Sequence, residues 1–230
     1  MCFGCTVHLL RGLLCAVKMA AGSISEREFT ELVLKLAEVS ALISDTWRVV
    51  HSSRSAGGVY LERKSIVIDT TADQVSRSQY LDIENDTSLA EQADDPSCLT
   101  LSGEKTHSFL NYEHHIVYSP SYAVPVLYFN VYKPNGHRLE LEELWNRVPK
   151  EHHIRMLEHK WATLTQQEHP VLGSPYFTLH PCHTATLMSQ VPQADNKRYY
   201  LIKWLSSVGP VAGLELSPEY ATIFDVIDSV

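Results

Sequence analysis

The sequence predicts an α+β fold in which an antiparallel sheet of about four strands is flanked by helices. Near the amino terminus, apolar residues recur at the helical period of about 3.6 residues. Farther along, several short runs are rich in Val, Ile, Tyr and Phe and are separated by turn residues, which is the pattern of antiparallel strands. The chain has 230 residues, which suits one domain with a sizeable core.

The first predicted element is an amphipathic helix of about 20 residues. Ser25 and Glu28 have the spacing of a capping box, in which a hydroxyl and a carboxylate each accept a backbone N–H at the start of a helix. Apolar residues then recur near one face of this helix, at Phe29, Leu32, Val33, Leu36, Val39 and Ile43.

The next segment predicts a β-hairpin followed by a long loop. Trp47–Val50 has the composition of a short strand, Ser52–Gly58 that of a turn, and Val59–Ile68 that of a strand with a β-branched end. From residue 70 to residue 106 the chain is acidic and poor in large apolar residues. Such a segment buries too little surface to offset its ordering entropy, so we expect a mobile acidic loop.

The centre of the sheet is predicted at Tyr112–Tyr118 and Val124–Tyr132, two runs rich in Tyr, Val and Ile. A turn at Lys133–Gly136 and a short helix around Leu141 and Trp145 follow. For the remainder we expect, in order, a helical or irregular Arg155–Leu164, a strand at Tyr176–Leu179, a polar segment to Pro192, a helix at Tyr199–Val208 and one or two helical turns from Ser217.

These elements divide the chain into three parts. We expect residues 1–22 to form an atypical, disordered extension, residues 23–221 a single folded domain that contains the acidic loop, and residues 222–230 a carboxy-terminal tail. The apolar part of the extension is interrupted by His8 and Arg11 and is too short to span a membrane.

Charge and cysteine usage exclude several classes of function. The formal net charge is −8 and no Lys/Arg cluster occurs, so we expect protein partners and no nucleic acid. The five cysteines do not form a disulfide framework, which favours a reducing cytoplasm. We expect no metal site, because Cys2 and Cys5 lack a second ligand pair and because the neighbours His114 and His115 would point to opposite faces of a strand.

The candidate reactive group is Cys182, which follows Pro181 and lies between His180 and His183. A thiolate is the nucleophilic form of cysteine, and cationic neighbours favour it. The apolar run at Tyr176–Leu179 predicts a buried strand that ends and presents the thiol at the surface.

Three stretches carry a resemblance to a known family. YEHHIVYSPSYAVPVLYF (112–129), TLTQQEHPVLGSPYFTLHPC (163–182) and WLSSVGPVAGLELSPEYA (204–221), in this order, resemble the ubiquitin-like-conjugating enzymes of autophagy. The third stretch favours the branch that modifies a protein over the sister branch that passes the lipid-linked modifier. The resemblance implies a fold like that of ubiquitin-conjugating enzymes, with the amino-terminal helix packed on the sheet.

The resemblance also implies a reaction. Cys182 would accept autophagy-related protein 12 as a thioester from the activating enzyme, autophagy-related protein 7, and pass it to a lysine of autophagy-related protein 5. ATP is used by the activating enzyme, so no cofactor is expected on this chain. Much of the rate should come from holding amine and carbonyl together.

One departure from the pattern of ubiquitin-conjugating enzymes concerns the oxyanion. Those enzymes usually carry a His-Pro-Asn tripeptide before the cysteine, whereas here His180-Pro181 abuts Cys182 and no asparagine lies between Asn146 and Cys182. We therefore expect the two flanking histidines to tune charging only modestly and the facing strands to support transfer. The candidate supporting residues are His180, His183, Tyr118, Tyr128 and Asn130, with Asn111, Gln166 and Gln167 as further amides.

Three alternatives remain open from the sequence. The chain could belong to the sister lipidation branch. Cys182 with a histidine and a carboxylate such as Glu168 could form a cysteine isopeptidase, although adjacent residues rarely make such a triad. A non-catalytic module that binds a partner through its sheet and the Trp204 helix is the third.

Overall fold

The structure is a computed structural model that describes residues 21–69, 108–149, 164–191 and 197–227. Its central feature is a six-stranded antiparallel sheet, formed by β1 (Arg48–His51), β2 (Val59–Ile68), β3 (Phe109–Ser119), β4 (Val124–Tyr132), β5 (Leu164–Glu168) and β6 (Pro175–Leu179). The order across the sheet is β1-β2-β3-β4-β6-β5, so β3 and β4 lie at the centre, as predicted.

The sheet has more strands than the predicted four. Five of the six strands lie at runs that the sequence analysis named, and the sixth is the edge strand β5, whose sequence LTQQE has one β-branched residue, Thr165, and no aromatic residue. It pairs with β6 from Leu164 opposite Leu179 to Glu168 opposite Pro175, and only Leu164 is buried. Leu164 therefore begins a strand, whereas the sequence predicted that it would end a helical or irregular segment.

Five α-helices accompany the sheet in the described part of the chain. They are α1 (Glu26–Leu42), α2 (Leu141–Trp145), α3 (Thr184–Gln190), α4 (Tyr200–Val208) and α5 (Glu219–Ile227). Helix α1 begins at the predicted capping box, since the Ser25 hydroxyl accepts the Glu28 N–H at 3.2 Å and the Glu28 carboxylate accepts the Ser25 N–H at 2.7 Å. Both backbone donors at this helix start are thereby satisfied.

Helix α3 was missed by the sequence analysis, which predicted only a polar segment up to Pro192. Its sequence, TATLMSQ, begins with two threonines in three residues, and β-branched residues lower helix propensity. Only Thr184 and Met188 are buried, so seven residues carry too little apolar periodicity to identify a helix.

All five helices pack their buried apolar side chains into one cluster on one face of the sheet. The five buried apolar residues predicted for α1, from Phe29 to Val39, belong to it, as do Ile116, Phe129 and Phe177 from the strands. A smaller cluster covers the opposite face and contains Tyr60, Val117, Val126, Tyr128, Val171 and Tyr176. The α+β class and the flanking helices are therefore confirmed.

The carboxy-terminal boundary of the folded region lies beyond the predicted one. Helix α5 runs across the predicted boundary after residue 221, and Phe224 is 1% exposed within the helix-side core. Burial of such a large aromatic ring stabilises the fold, so residues 222–224 belong to the domain and not to a tail. The predicted extension up to residue 20 and the acidic loop at 70–106 fall outside the described residues.

None of the described helices is both long enough and apolar enough to cross a bilayer.

Candidate functional site

The candidate site is a short turn at the end of strand β6. β6 pairs with β4 at Thr178 opposite Tyr128 and with β5 along its whole length, so its position in the sheet is fixed from both sides. The strand ends at Leu179, and residues Pro181–His183 then form one turn of 3₁₀ helix. Pro181 suits the first position of this turn because it has no N–H to satisfy. We call Pro181–His183 the thiol turn.

Cys182 lies exposed in the thiol turn with a free thiol, as the sequence predicted for a strand that ends and presents a thiol. Its backbone N–H donates to Nδ1 of His180 at 3.2 Å. The ring of His180 is half-buried and meets the ring of Tyr122 edge to face at 5.7 Å. His183 is exposed.

The hydrogen bond to His180 decides which nitrogen of its neutral ring carries the proton. Nδ1 accepts the Cys182 N–H, so the proton of the neutral imidazole lies on Nε2. The one basic nitrogen of the neutral ring is then already occupied by a backbone donor. The geometry assigns His180 to holding the thiol turn, and taking a proton at Nδ1 would break that bond.

The three predicted supporting residues on strands β3 and β4 do not converge on the thiol. Tyr118 is buried among the helices, and its hydroxyl donates to the carbonyl of Ile24 at 2.9 Å. Tyr128 faces the opposite side of the sheet, where its ring lies 5.0 Å from that of His169. The amide of Asn130 donates to the carbonyl of Pro175 at 3.2 Å, at the start of β6.

The remaining candidate amides and the candidate carboxylate lie toward the same far end of the sheet. Glu168 pairs with Pro175 and Gln167 with Tyr176, whereas the thiol turn follows the other end of β6. Pro175 and Leu179 are four strand intervals apart, about 13 Å at the usual rise of a strand. Asn111 pairs with Ile66 on the far side of β3. These groups would need a large rearrangement to reach Cys182.

A second polar cluster, which the sequence analysis did not identify, occupies the face of the sheet opposite the helices. Nδ1 of His115 lies 3.0 Å from Nε2 of His169, and both rings are buried. Nδ1 of His169 accepts the N–H groups of Val171 and Leu172, each at 3.2 Å. His169 therefore carries its proton on Nε2 and donates it to His115, so the pair is a hydrogen-bonded link between the β5–β6 turn and β3.

Two carboxylates face the other nitrogen of His115. Its Nε2 lies 3.6 Å from Glu113 and 4.0 Å from Glu62, and the ammonium of Lys64 lies 3.0 and 3.1 Å from the same two carboxylates. The ligand atoms of Glu62, Glu113 and His115 lie within 4.8 Å of one another, a spacing that would allow a metal ion. We assign no metal here, because Lys64 and Arg48 already pair with the carboxylates and because Nε2 of His115 carries a proton.

The pKa values of Glu113, His169 and His114 are all lowered by their surroundings. The His115 imidazole and the Lys64 ammonium lower the pKa of Glu113 to about 2, against the opposing effect of burial. Burial and the neighbouring His115 lower the pKa of His169 to about 4. On the helix side, burial lowers the pKa of His114 to about 4, although its Nε2–H donates to the carbonyl of Ala212 at 2.9 Å. His114 and His115 thus point to opposite faces, as predicted.

Comparison with known proteins identifies relatives of this chain. The family described as "Autophagocytosis associated protein, active-site domain" matches residues 28–219. The "Ubiquitin-like-conjugating enzyme ATG10" of Homo sapiens is 44% identical over 128 residues, which cover 54% of this chain and 58% of that protein. The ATG10 of Arabidopsis thaliana is 34% identical over 175 residues, which cover 73% of this chain and 76% of that protein.

One solved structure, described as "Crystal structure of Autophagic E2, Atg10", also aligns with this chain. It has a TM-score of 0.45 and 14% sequence identity, and the alignment covers 82% of this chain and 98% of that one.

Proposed function

The chain belongs to the autophagocytosis-associated active-site family, in its ATG10 branch of ubiquitin-like-conjugating enzymes, and from that premise we propose that Cys182 accepts a ubiquitin-like modifier and passes it to an amine. The specific proposal is that the modifier is autophagy-related protein 12, that autophagy-related protein 7 delivers it and that a lysine of autophagy-related protein 5 receives it. The alignments span 58% and 76% of the relatives' own lengths, so the activity and the partners are stated here as a proposal.

The observation that carries the proposal is the exposed thiol of Cys182 on a fixed turn at the end of strand β6. A conjugating enzyme must reach two large partners in succession, the activating enzyme and the acceptor. A thiol that projects at the surface is accessible to both, whereas most cysteines without such a role are buried as small apolar residues.

The proposed reaction has two steps at the same sulfur atom. The thiolate of Cys182 attacks the carboxyl-terminal carbonyl of the modifier on the activating enzyme, so that a new sulfur–carbon bond forms and the activating enzyme's thiolate leaves. The acceptor amine then attacks the same carbonyl carbon, an amide bond forms, and Cys182 leaves as thiolate. The proton lost by the amine passes to that thiolate or to water.

The contacts of His180 suit a role in positioning Cys182 better than a role as a general base. Nδ1 of His180 accepts the Cys182 N–H, so His180 fixes the backbone beside the sulfur. Holding two reactants in the correct geometry supplies a large part of many enzymatic rate enhancements. Among the predicted supporting residues, His180 therefore acts as a positioning residue. A cytoplasmic location is part of the same proposal.

The cysteine isopeptidase alternative requires a carboxylate and a histidine that orient around the sulfur. Glu168 lies at the far end of β6, opposite Pro175, and the bonding nitrogen of His180 is occupied by a backbone N–H. The geometry therefore favours transfer over hydrolysis by a triad.

A reconstitution separates the remaining functions. Purified chain, autophagy-related protein 7, ATP and autophagy-related protein 12 are incubated and analysed with and without reductant, and the lipid-linked modifier of the sister branch replaces autophagy-related protein 12 in a parallel reaction. The proposal predicts a reductant-labile adduct with autophagy-related protein 12. An adduct with the sister modifier alone would assign the chain to the lipidation branch, and no adduct with either would favour a binding module or a hydrolase.

A further inference from the structure

Three residues before helix α1, Gly22–Ile24, bind elements on both sides of the thiol turn, and we call them the N-terminal strap. On one side, the N–H of Ile24 donates to the carbonyl of Ala123 at 2.9 Å, within the turn between β3 and β4. The carbonyl of Ile24 accepts the Tyr118 hydroxyl at 2.9 Å, and Ile24 is fully buried. Each backbone polar group of this buried residue thus has a partner on the sheet.

On the other side, the strap lies against helix α3. Gly22 has a φ of +81°, and a Cβ on Gly22 would lie 1.9 Å from the carbonyl oxygen of Ala185 and 2.6 Å from the nitrogen of Ser189. Only glycine allows both this backbone conformation and this close approach. The carbonyl of Gly22 also accepts the Tyr200 hydroxyl of α4 at 2.6 Å.

These contacts fix the two supports of the thiol turn relative to each other. Helix α3 begins at Thr184, directly after the turn, and its backbone is in contact with Gly22. Tyr122, which precedes the strap-bound Ala123, packs its ring on His180, which in turn holds the Cys182 N–H. The thiol turn is therefore held between two elements that the strap joins.

We propose that the N-terminal strap positions Cys182 for acyl transfer, with Gly22, Tyr118 and Tyr200 as positioning residues. The inference rests on the proposed function, since it concerns the transfer step at Cys182. Tyr118 and Tyr200 act through the carbonyls of Ile24 and Gly22 and do not touch the acyl group. A displacement of about 1 Å of a reacting group costs up to about 100-fold in rate, so a small movement of the turn is expected to be visible in transfer.

The first test removes only the two hydroxyls that bind the strap. Tyr118→Phe/Tyr200→Phe is loaded with autophagy-related protein 12 and mixed with increasing concentrations of the acceptor, and discharge is followed in a single turnover. We expect the maximal discharge rate to fall about tenfold while the half-saturating acceptor concentration stays unchanged, because positioning affects the bound complex and not acceptor binding.

The matched control is Tyr220→Phe. The hydroxyl of Tyr220 is also buried and donates to the Asp45 carboxylate at 2.7 Å, but it contacts neither the strap nor the thiol turn. We expect Tyr220→Phe to discharge at the wild-type rate. The proposal is overturned if the double variant and this control discharge equally fast.

The second test compares two glycines that share a positive φ. Gly22→Ala drives a Cβ into the backbone of α3. Gly57 lies in the β1–β2 turn at φ +74°, and a Cβ there would lie 2.7 Å from the flexible side chain of Thr30 in α1. Rates are compared below both melting temperatures and corrected for the folded fraction. Gly22→Ala is expected to lose more discharge activity than Tyr118→Phe/Tyr200→Phe, and Gly57→Ala to lose none. Equal rates for the two glycine variants would contradict the strap's role. If Gly22→Ala does not fold, the comparison of Tyr118→Phe/Tyr200→Phe with Tyr220→Phe decides the question.

A third measurement needs no modifier, so it distinguishes a failure of the strap from a failure of the proposed function. Amide hydrogen exchange is followed in the peptide that contains Cys182, whose N–H is bonded to His180. Local opening accelerates exchange, so both strap variants should exchange about tenfold faster at this peptide while the peptides of β3 and β4 are unchanged. Unaltered exchange at the thiol turn in both variants would overturn the inference, whatever the wild-type chain does in the transfer reaction.

Discussion

The hydrogen bond between the Cys182 backbone N–H and the His180 ring determines which role His180 can play in the thiol turn. The accepting nitrogen of the His180 ring is bonded to that N–H at 3.2 Å, and the ring is held against Tyr122. A histidine in this arrangement orients a backbone, whereas a general base needs a free nitrogen directed at the proton it takes.

The first prediction concerns the two histidines beside the thiol. His180→Ala and His183→Ala should each reduce charging by the activating enzyme less than about fivefold, because neither is required as a base. Loss of a general base typically costs about 100-fold or more. The measurement is the initial rate of thioester formation with each variant and with wild type. A loss of 100-fold or more in thioester formation for His180→Ala would contradict this prediction and return the base role to that residue.

At the level of single residues, a sequence motif can identify the reactive cysteine, but it cannot show which side chains of the neighbouring strands face that cysteine. Cys182 is a candidate from its tripeptide alone, because the residue types carry the chemistry. Tyr128 and Asn130 were also chosen for their residue types, yet both lie on the face of the sheet directed away from the helices. Which face of β4 meets the thiol turn depends on the pairing of Tyr128 with Thr178, and no local pattern contains that register.

At the level of elements, the helix that begins at Ser25 shows how a local signal fixes a boundary. The capping box satisfies two donors at the start of α1, and the buried face from Phe29 to Val39 then anchors the helix on the sheet. Because the strap ends where this cap begins, the cap also helps to fix the strap.

The second prediction tests this cap. Ser25→Ala should lower the free energy of unfolding by about 1 kcal/mol, since the Glu28 N–H loses its acceptor. Ser207→Ala is the control, because its hydroxyl bonds only the preceding-turn carbonyl of Lys203 within α4. Urea unfolding of both variants gives the two values. A Ser25→Ala loss no larger than that of Ser207→Ala would contradict the role of the cap.

The elements that were not predicted share a physical cause. The strand β5 lies at the edge of the sheet with one buried residue, and helix α3 is seven residues long with two. Both depend on backbone contacts with another segment, the neighbouring strand β6 for β5 and Gly22, far away in sequence, for α3. Long and strongly periodic elements such as α1, β3 and β4 carry their own signal, and their positions were predicted.

At the scale of the whole molecule, buried neutral histidines on both faces of the sheet link stability to pH. His114 on the helix side and His169 on the opposite side each have a pKa lowered to about 4. The rings of His115, Tyr60, Tyr128 and Tyr176 lie against His169. Beyond His115 lie the carboxylates of Glu113 and Glu62, which pair with Lys64. The unfolded chain binds protons at these histidines near pH 6.5, so it gains protons before the folded chain does.

The third prediction follows from that difference in proton binding. Stability should be full above about pH 6.5, fall as the pH is lowered toward 4, and fall further toward 2 as Glu113 titrates. His169→Gln should be less stable at neutral pH but should lose less on acidification, while His51→Gln, at an exposed position, should keep the wild-type profile. Urea unfolding from pH 7.5 to pH 4 measures the slopes. A His169→Gln slope equal to that of wild type would exclude this residue as a source of acid sensitivity.

The fourth prediction concerns the acidic segment. Residues 70–106 carry many acidic and few large apolar side chains, so removing part of the segment should leave the melting temperature nearly unchanged. A drop that corresponds to several kcal/mol would show that the segment contributes to the packed core.

The central claim is that Cys182 alone carries the modifier, and mapping the adduct tests it most directly. After incubation with the activating enzyme, ATP and autophagy-related protein 12, mass spectrometry should place the thioester on Cys182. Cys182→Ala should form no adduct, Cys182→Ser should form an oxyester that resists reductant, and Cys98→Ala should charge normally. A thioester that persists in Cys182→Ala, or disappears in Cys98→Ala, would contradict the account.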